Sequence, residues 1–233
     1  MPSHFYYRLP HEWRYALHRT CSPLSHARLQ SLRRDGRLQR CDRWQAIFVH
    51  VPKCGGTSVL QAVFGDDQRS HYTVAGYQKI FAPREYGSYF KFAAVRNPWA
   101  RLVSAWHYLH TDACRRTDGE WVARHLTPHR SFDDFVRRGL RQPEIARHMH
   151  FRPQHEYLCL PGQRQPLVDQ LIRQECLQQS VDRVRERLGL PAVPVPRLNR
   201  GDHGVYHDYY SAVTRRVVGE VYGNDIELLG YRY

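Results

Sequence analysis

An α/β fold built on a parallel sheet is predicted by three observations. Short, mostly apolar segments rich in β-branched and aromatic residues recur, helical periods follow them, and glycine or Asn-Pro marks the passage between the two. The first such segment, AIFVHV from Ala46, suits a strand covered on both faces. After the turn PKCGGT, the stretch SVLQAVF puts Val59, Leu60, Val63 and Phe64 on one helical face before Gly65 stops it. A second unit repeats the pattern: FKFAAV reads as a strand, and Asn97-Pro98 as a cap and first helical residue. Its helix carries Trp99, Leu102, Val103 and Trp106 on one side and Arg101, Ser104 and Tyr108 on another.

The remaining elements follow from the same rules. Residues 66–89 read as an aromatic and polar loop, and 111–130 as a charged, exposed excursion. SFDDFVRRGL reads as a short helix capped by Ser131, and PLVDQLIRQE holds a strand. Leu177, Val181, Val184 and Leu188 mark a helix ended by Gly189. PAVPVPRLNRGDHG has too many breakers for regular structure. Tyr210, Val213, Val217 and Val221 mark a last helix, and NDIELLGYRY a closing turn. Residues 1–44 have no clean period and are expected to form an irregular or short-helical lead-in to one domain over 45–233.

Lysine and arginine number 35 against 22 acidic residues, a formal charge of +13, with 15 histidines besides. Such a balance favours anionic partners: nucleotides, nucleic acid, acidic glycans or an anionic membrane surface. The six cysteines have neither C-x-x-C pairing nor zinc-ligand spacing, so reduced thiols are expected. No carboxylate cluster suggests a metal. The N-terminus lacks the layout of a signal peptide, and no apolar run approaches the roughly 20 residues that span a bilayer. A cytoplasmic protein is therefore expected, with peripheral membrane contact through its basic surface left open.

VHVPKCGGTS, residues 49–58, carries the first chemistry. In a strand, turn and helix unit, the turn's N–H groups and the first-turn amides point at one spot, where the helix dipole also favours negative charge. Gly55 and Gly56 admit close approach of an anion, Lys53 adds a mobile positive charge, and Thr57 and Ser58 add hydroxyls. That is a phosphate site. The triphosphate loop G-x-x-x-x-G-K-[ST] needs its lysine after the second glycine; here it comes before them, and G-x-G-x-x-G is missing.

PKCGGTS followed by VRNPWARLVSAW resembles the paired nucleotide motifs of the sulfotransferases that use 3′-phosphoadenosine 5′-phosphosulfate (PAPS), in the branch of carbohydrate sulfotransferases. The resemblance continues through His71, FRPQ at 151–154, VDQLIRQE, the N-x-x-x-H loop at 199–203 and YGNDIELLGY. It implies a three-layer α/β/α, P-loop-like fold and transfer of a sulfuryl group to an acceptor hydroxyl of a carbohydrate or glycolipid. Lys53, Cys54 through its amide, Gly55, Gly56, Thr57 and Ser58 would hold the 5′ end, and Arg96 and Ser104 the 3′-phosphate, with Arg200 and His203 over the nucleotide. Cys54 departs from the threonine common in relatives. Lys53 would stabilise the leaving phosphate, and His71 would take the acceptor proton. His150, Gln154 and His155, in the cluster that begins at His148, would contact the acceptor. No nucleic-acid partner is expected. The residues alone leave two other readings open, a small nucleotide kinase and a basic nucleic-acid-binding module.

Overall fold

The computed structural model describes residues 36–198 and 204–233. Three parallel strands form one sheet in the order β1-β2-β3: β1 (Ala46–Val49), β2 (Phe90–Val95) and β3 (Gln170–Arg173). Ala46 pairs with Phe90 and Val49 with Ala93 on one side of β2; Phe92 pairs with Gln170 and Val95 with Arg173 on the other. Every residue of β1 is buried, as an apolar run without alternation requires. Since all three strands run the same way, the segments after Val49, Val95 and Arg173 meet at one edge, where ligands of open α/β sheets bind.

Helix α1 (Gly36–Trp44) precedes β1 and buries Leu38 and Cys41 in the sheet's core. It falls within the segment expected to be a lead-in, whose residues before Gly36 lie outside the described residues. Helix α2 (Gly56–Phe64) follows the glycine turn and ends on Gly65, whose φ of 74° is the left-handed conformation glycine adopts without a Cβ penalty.

Residues 66–89 correct the expected loop, for they contain α3 (Val74–Ile80) and α4 (Pro83–Ser88). Thr73 caps α3 by accepting from the Gly76 amide, and the Glu85 carboxylate accepts from the Ala82 amide at the start of α4. The signal was present as buried Val74, Tyr77, Ile80 and Phe81 at helical spacing, hidden among polar and aromatic neighbours.

Beyond β2, Asn97 caps α5 (Pro98–Leu109) as expected, its Oδ1 accepting from the amides of Trp99 and Ala100 at 3.0 and 3.4 Å. The expected excursion at 111–130 is largely a helix, α6 (Asp112–His125), followed by buried Leu126; Val122 and Leu126 supply the apolar stripe that the charges obscured. Ser131 caps α7 (Phe132–Asp134), which widens into a π-type turn over Phe135–Gly139. Short α8 (Pro143–Ala146) and α9 (His155–Leu158) lead to β3.

After β3, a 3₁₀ turn (Gln174–Cys176) opens into α10 (Leu177–Arg187), which ends before Gly189, at φ 69°. Helix α11 (Ala212–Val221) begins after Ser211, which caps it, so Tyr210 stands outside; it buries Thr214, Val217 and Val218 and exposes Val213. The closing segment is a helix, α12 (Gly223–Leu229), rather than a turn. A second core forms where α5, α6, the α7 turn and α11 meet, around Leu102, Val103, Leu126, Phe135 and Val218. No helix among the described residues is long and apolar enough to cross a membrane.

Candidate active site

The turn between β1 and α2 is held in an unusual backbone conformation. Lys53 has φ 70° and Gly55 φ 80°, both left-handed. For the glycine this is free, whereas the lysine's Cβ makes it cost about 1–2 kcal/mol. Side chains from elsewhere fix the conformation. Arg101 Nε donates to the Pro52 carbonyl at 2.9 Å, Arg96 Nη1 to the Lys53 carbonyl at 3.4 Å, and Cys54 Sγ to Gln154 Oε1 at 3.3 Å. A planar trans peptide points its N–H opposite its C=O. Drawing the carbonyls of 52 and 53 toward the arginines therefore turns the amides of Lys53 and Cys54 the other way. The first helical bond of α2 runs from the Val59 amide to the Gly55 carbonyl, so the amides of Gly56, Thr57 and Ser58 have no acceptor within the helix.

Gly56 is required by a neighbour rather than by its backbone. A Cβ there would lie 2.1 Å from His50 Nε2. His50 is buried, stacked on Phe48 and against His71, with its Nδ1 lacking a partner.

The end of β2 and the helix after it supply the cations. Arg96 Nε and Arg101 Nη2 are buried donors without an acceptor. Burial holds the Arg96 guanidinium below its ordinary pKa. Arg101, Ser104 and Tyr108, at helical spacing on α5, share the face turned toward the 50–54 turn; Lys53 Nζ sits 3.8 Å from the centre of the Tyr108 ring. Helix α5 thus sets both the backbone of the turn and the position of its ammonium.

Gln154 is fully buried, and its side-chain amide fastens neighbouring backbone. Its Oε1 accepts from the Arg96 amide at 3.0 Å and from Cys54 Sγ, and its Nε2 donates to the Arg96 carbonyl at 2.8 Å. These bonds tie the turn after β1 to the end of β2, a fastening part that the expected acceptor contact did not include. Its own amide is anchored on Asp225 at 2.7 Å, a carboxylate with no exposure. The Cys54 thiol, pushed up to about 12 by burial, stays protonated.

Two of the expected histidines lie beside the turn, His150 within reach of the Lys53 charge and His71 against His50. His71 Nδ1 is 2.9 Å from the His50 carbonyl. A carbonyl only accepts, so Nδ1 carries the hydrogen and Nε2 keeps its lone pair. Burial lowers the His71 pKa, with the His50 hydrogen bond opposing. His150 meets Tyr108 edge-on at 4.9 Å, and burial, with the Lys53 charge second, drives its pKa down to about 2. Both imidazoles are neutral at pH 7.

The other candidates sit as follows. Ser58 is buried and accepts from the Leu198 amide, drawing the proline-rich loop over the start of α2, while Thr57 is half-buried. Ser104 is half-buried on the α5 face already described. His155 points elsewhere: its Nδ1 bonds Asp225 at 2.7 Å, and it lines a cavity of about 620 Å³ with Arg152, Cys159, Arg164 and Glu227. Burial lowers its pKa, but the Asp225 hydrogen bond and charge outweigh that and raise it. Arg200 and His203 lie outside the described residues. Sequence reasoning assigned no part to His50, Arg101, Tyr108 or Asp225. Arg101 and Tyr108 could have been found by continuing the helical face through Ser104; the other two have no local signal.

A family model described as the sulfotransferase family matches residues 37–232, from α1 to the last residue but one. No curated protein and no solved structure matches the chain.

Proposed function

Since the chain belongs to the sulfotransferase family, we propose that it is a PAPS-dependent sulfotransferase, with the nucleotide's 5′ end on the 53–58 turn and its 3′-phosphate on Arg96 and Ser104. The observation that carries this reading is the pair of buried donors without acceptors, Arg96 Nε and Arg101 Nη2, beside an amide-lined turn. Buried donors of cationic groups call for an anion, and Arg suits bidentate phosphate contact. PAPS supplies a sulfuryl group on an activated phosphate.

The chain's own residues then have distinct tasks. Lys53 neutralises charge that grows on the 5′-phosphate oxygen. His71 Nε2, unprotonated and oriented through Nδ1, takes the acceptor's proton as the oxygen bonds to sulfur. Gln154 and Asp225 keep the two phosphate ends at a fixed separation. His150 flanks Lys53, and His155 with its cavity is assigned to more distant parts of the acceptor. A carbohydrate hydroxyl, free or lipid-linked, is the acceptor we favour, supported by the formal charge of +13, which attracts acidic glycans. We assign the reaction to the cytoplasm, a reading supported by four free thiols among the described residues.

Calorimetric titration of 3′-phosphoadenosine 5′-phosphate against AMP, with wild type and Arg96→Ala, tests the reading. Preference for the 3′-phosphorylated nucleotide, reduced about tenfold or more in the variant, is expected. Equal binding of both nucleotides, or of neither, would overturn it and return the kinase and nucleic-acid readings.

A further inference from the structure

Lys53 and Tyr108 form the end of a longer arrangement. The chain's 35 basic residues include only the lysines Lys53, Lys79 and Lys91, so an ammonium at the turn is a departure from an otherwise arginine-based surface. A lysine side chain has about 2 kcal/mol of rotamer entropy to lose before it holds one position. Here the left-handed backbone of Lys53 directs it to α5, where the ammonium lies on the face of Tyr108. Tyr108 is met edge-on by His150, 64° between planes. His150 leans on His148 at 5.4 Å, and His148 stacks on Trp121 at 3.8 Å. His150 is 7% exposed, and its Nδ1 has no partner, so packing and not hydrogen bonding fixes that ring face.

We propose that Tyr108 is a positioning residue for Lys53, buttressed by the His150, His148 and Trp121 rings behind it. A carboxylate in the place of Tyr108 would hold the ammonium too, but would cancel its charge and repel an anionic ligand. A neutral ring attracts the cation through its quadrupole and leaves the charge available to the phosphate. The stack therefore solves a conflict specific to an anion site: it orders a flexible cation without neutralising it. His150 belongs to this support rather than to the acceptor's contacts. The role of the ammonium in group transfer rests on the proposed function; its placement on the ring does not.

Lysine labelled with ¹³C and ¹⁵N gives three side-chain signals, assigned with Lys79→Arg and Lys91→Arg. In the nucleotide-free protein, the Lys53 ε-methylene is expected upfield by the ring current of Tyr108, unchanged in Tyr108→Phe and lost in Tyr108→Leu. His150→Leu, which removes the ring behind Tyr108, should loosen Tyr108 and shrink the upfield shift without abolishing it. In turnover, Tyr108→Leu should lower kcat about tenfold with 3′-phosphoadenosine 5′-phosphate affinity within about threefold, and Tyr108→Phe should restore it. An unshifted Lys53 signal in wild type, or a shift that survives Tyr108→Leu, overturns the proposal. Should wild type bind no nucleotide, the sulfotransferase reading falls, and the lysine signal still decides the positioning.

Discussion

Gly56→Ala exposes how tightly the 53–58 turn, the proposed phosphate site, is built. At the first position of α2, with no left-handed φ to protect, alanine would ordinarily stabilise the helix by about 0.5–1 kcal/mol. Its Cβ, however, would stand 2.1 Å from His50 Nε2 and 2.2 Å from Cδ2, where ordinary contact begins at 3.4 Å. About 1.3 Å of movement must come from somewhere. The His50 ring is packed on Phe48 and His71 and cannot retreat, so the start of α2 must shift. Overpacking of this kind costs about 1–3 kcal/mol, which outweighs the propensity gain. A displacement near 1 Å costs about a hundredfold in a positioned site. Urea unfolding should show a net loss of about 1–2 kcal/mol, and calorimetry at least tenfold weaker binding of 3′-phosphoadenosine 5′-phosphate. The double variant His50→Ala/Gly56→Ala should regain the affinity of His50→Ala alone, since the bond to His71 uses the His50 backbone carbonyl. A more stable Gly56→Ala with wild-type affinity, or a double variant no better than the single, would refute the reasoning.

Two further expectations concern single side chains. If His71 is the base, its pKa, lowered by burial, puts the acid limb of activity, where the imidazole protonates, below the pH at which an ordinary histidine would place it. His71→Ala should lose about a hundredfold in kcat and the acid limb with it; a limb that persists in the variant assigns the proton to another group. Asn97→Ala removes a cap on two amides and a bond from Nδ2 to the Arg232 carbonyl, so a loss of about 1–2 kcal/mol is expected by urea unfolding. A loss under about 0.5 kcal/mol would mean that water replaces the cap.

What could be read from the sequence was what is local in the chain. β1 is a contiguous buried apolar run, β2 is apolar apart from Lys91, and α2 and α5 carry their own caps or stops, so each declares itself within a dozen residues. Lys53, Gly55, Gly56 and Arg96 were legible for the same reason. Helices α3 and α6 were missed because their buried faces are interrupted by aromatic or charged residues, and tertiary packing rather than composition settles them. Gln154 and Asp225 act across gaps of 58 and 71 residues, from Gln154 to Arg96 and from Asp225 to Gln154, and no spacing rule reaches that far. His50 was in plain view next to the turn, but its part depends on the absence of a Cβ at Gly56, a relation visible only in three dimensions.

The unpaired cations set stability against binding, and that opposition has a sign that can be measured. Each buried donor left without an acceptor costs about 1–3 kcal/mol, and both Arg96 Nε and Arg101 Nη2 are in that state. Glu175 offsets part of the charge on Arg96, but its oxygens already accept from the Asn97 amide and the Tyr231 hydroxyl. Arg96→Met removes that charge and keeps the apolar length, losing only the long 3.4 Å bond from Nη1 to the Lys53 carbonyl, so the nucleotide-free protein should be about as stable as wild type or more so. The nucleotide should act in the opposite direction. At a hundred times its Kd, 3′-phosphoadenosine 5′-phosphate should stabilise wild type by about 2.7 kcal/mol, which for a chain of this size would raise Tm by about 5–11 °C. In Arg96→Met most of that rise should vanish while the ligand-free Tm holds. A variant that melts several degrees earlier without nucleotide, yet keeps the full rise with it, would make Arg96 a structural arginine and refute its proposed contact with the 3′-phosphate.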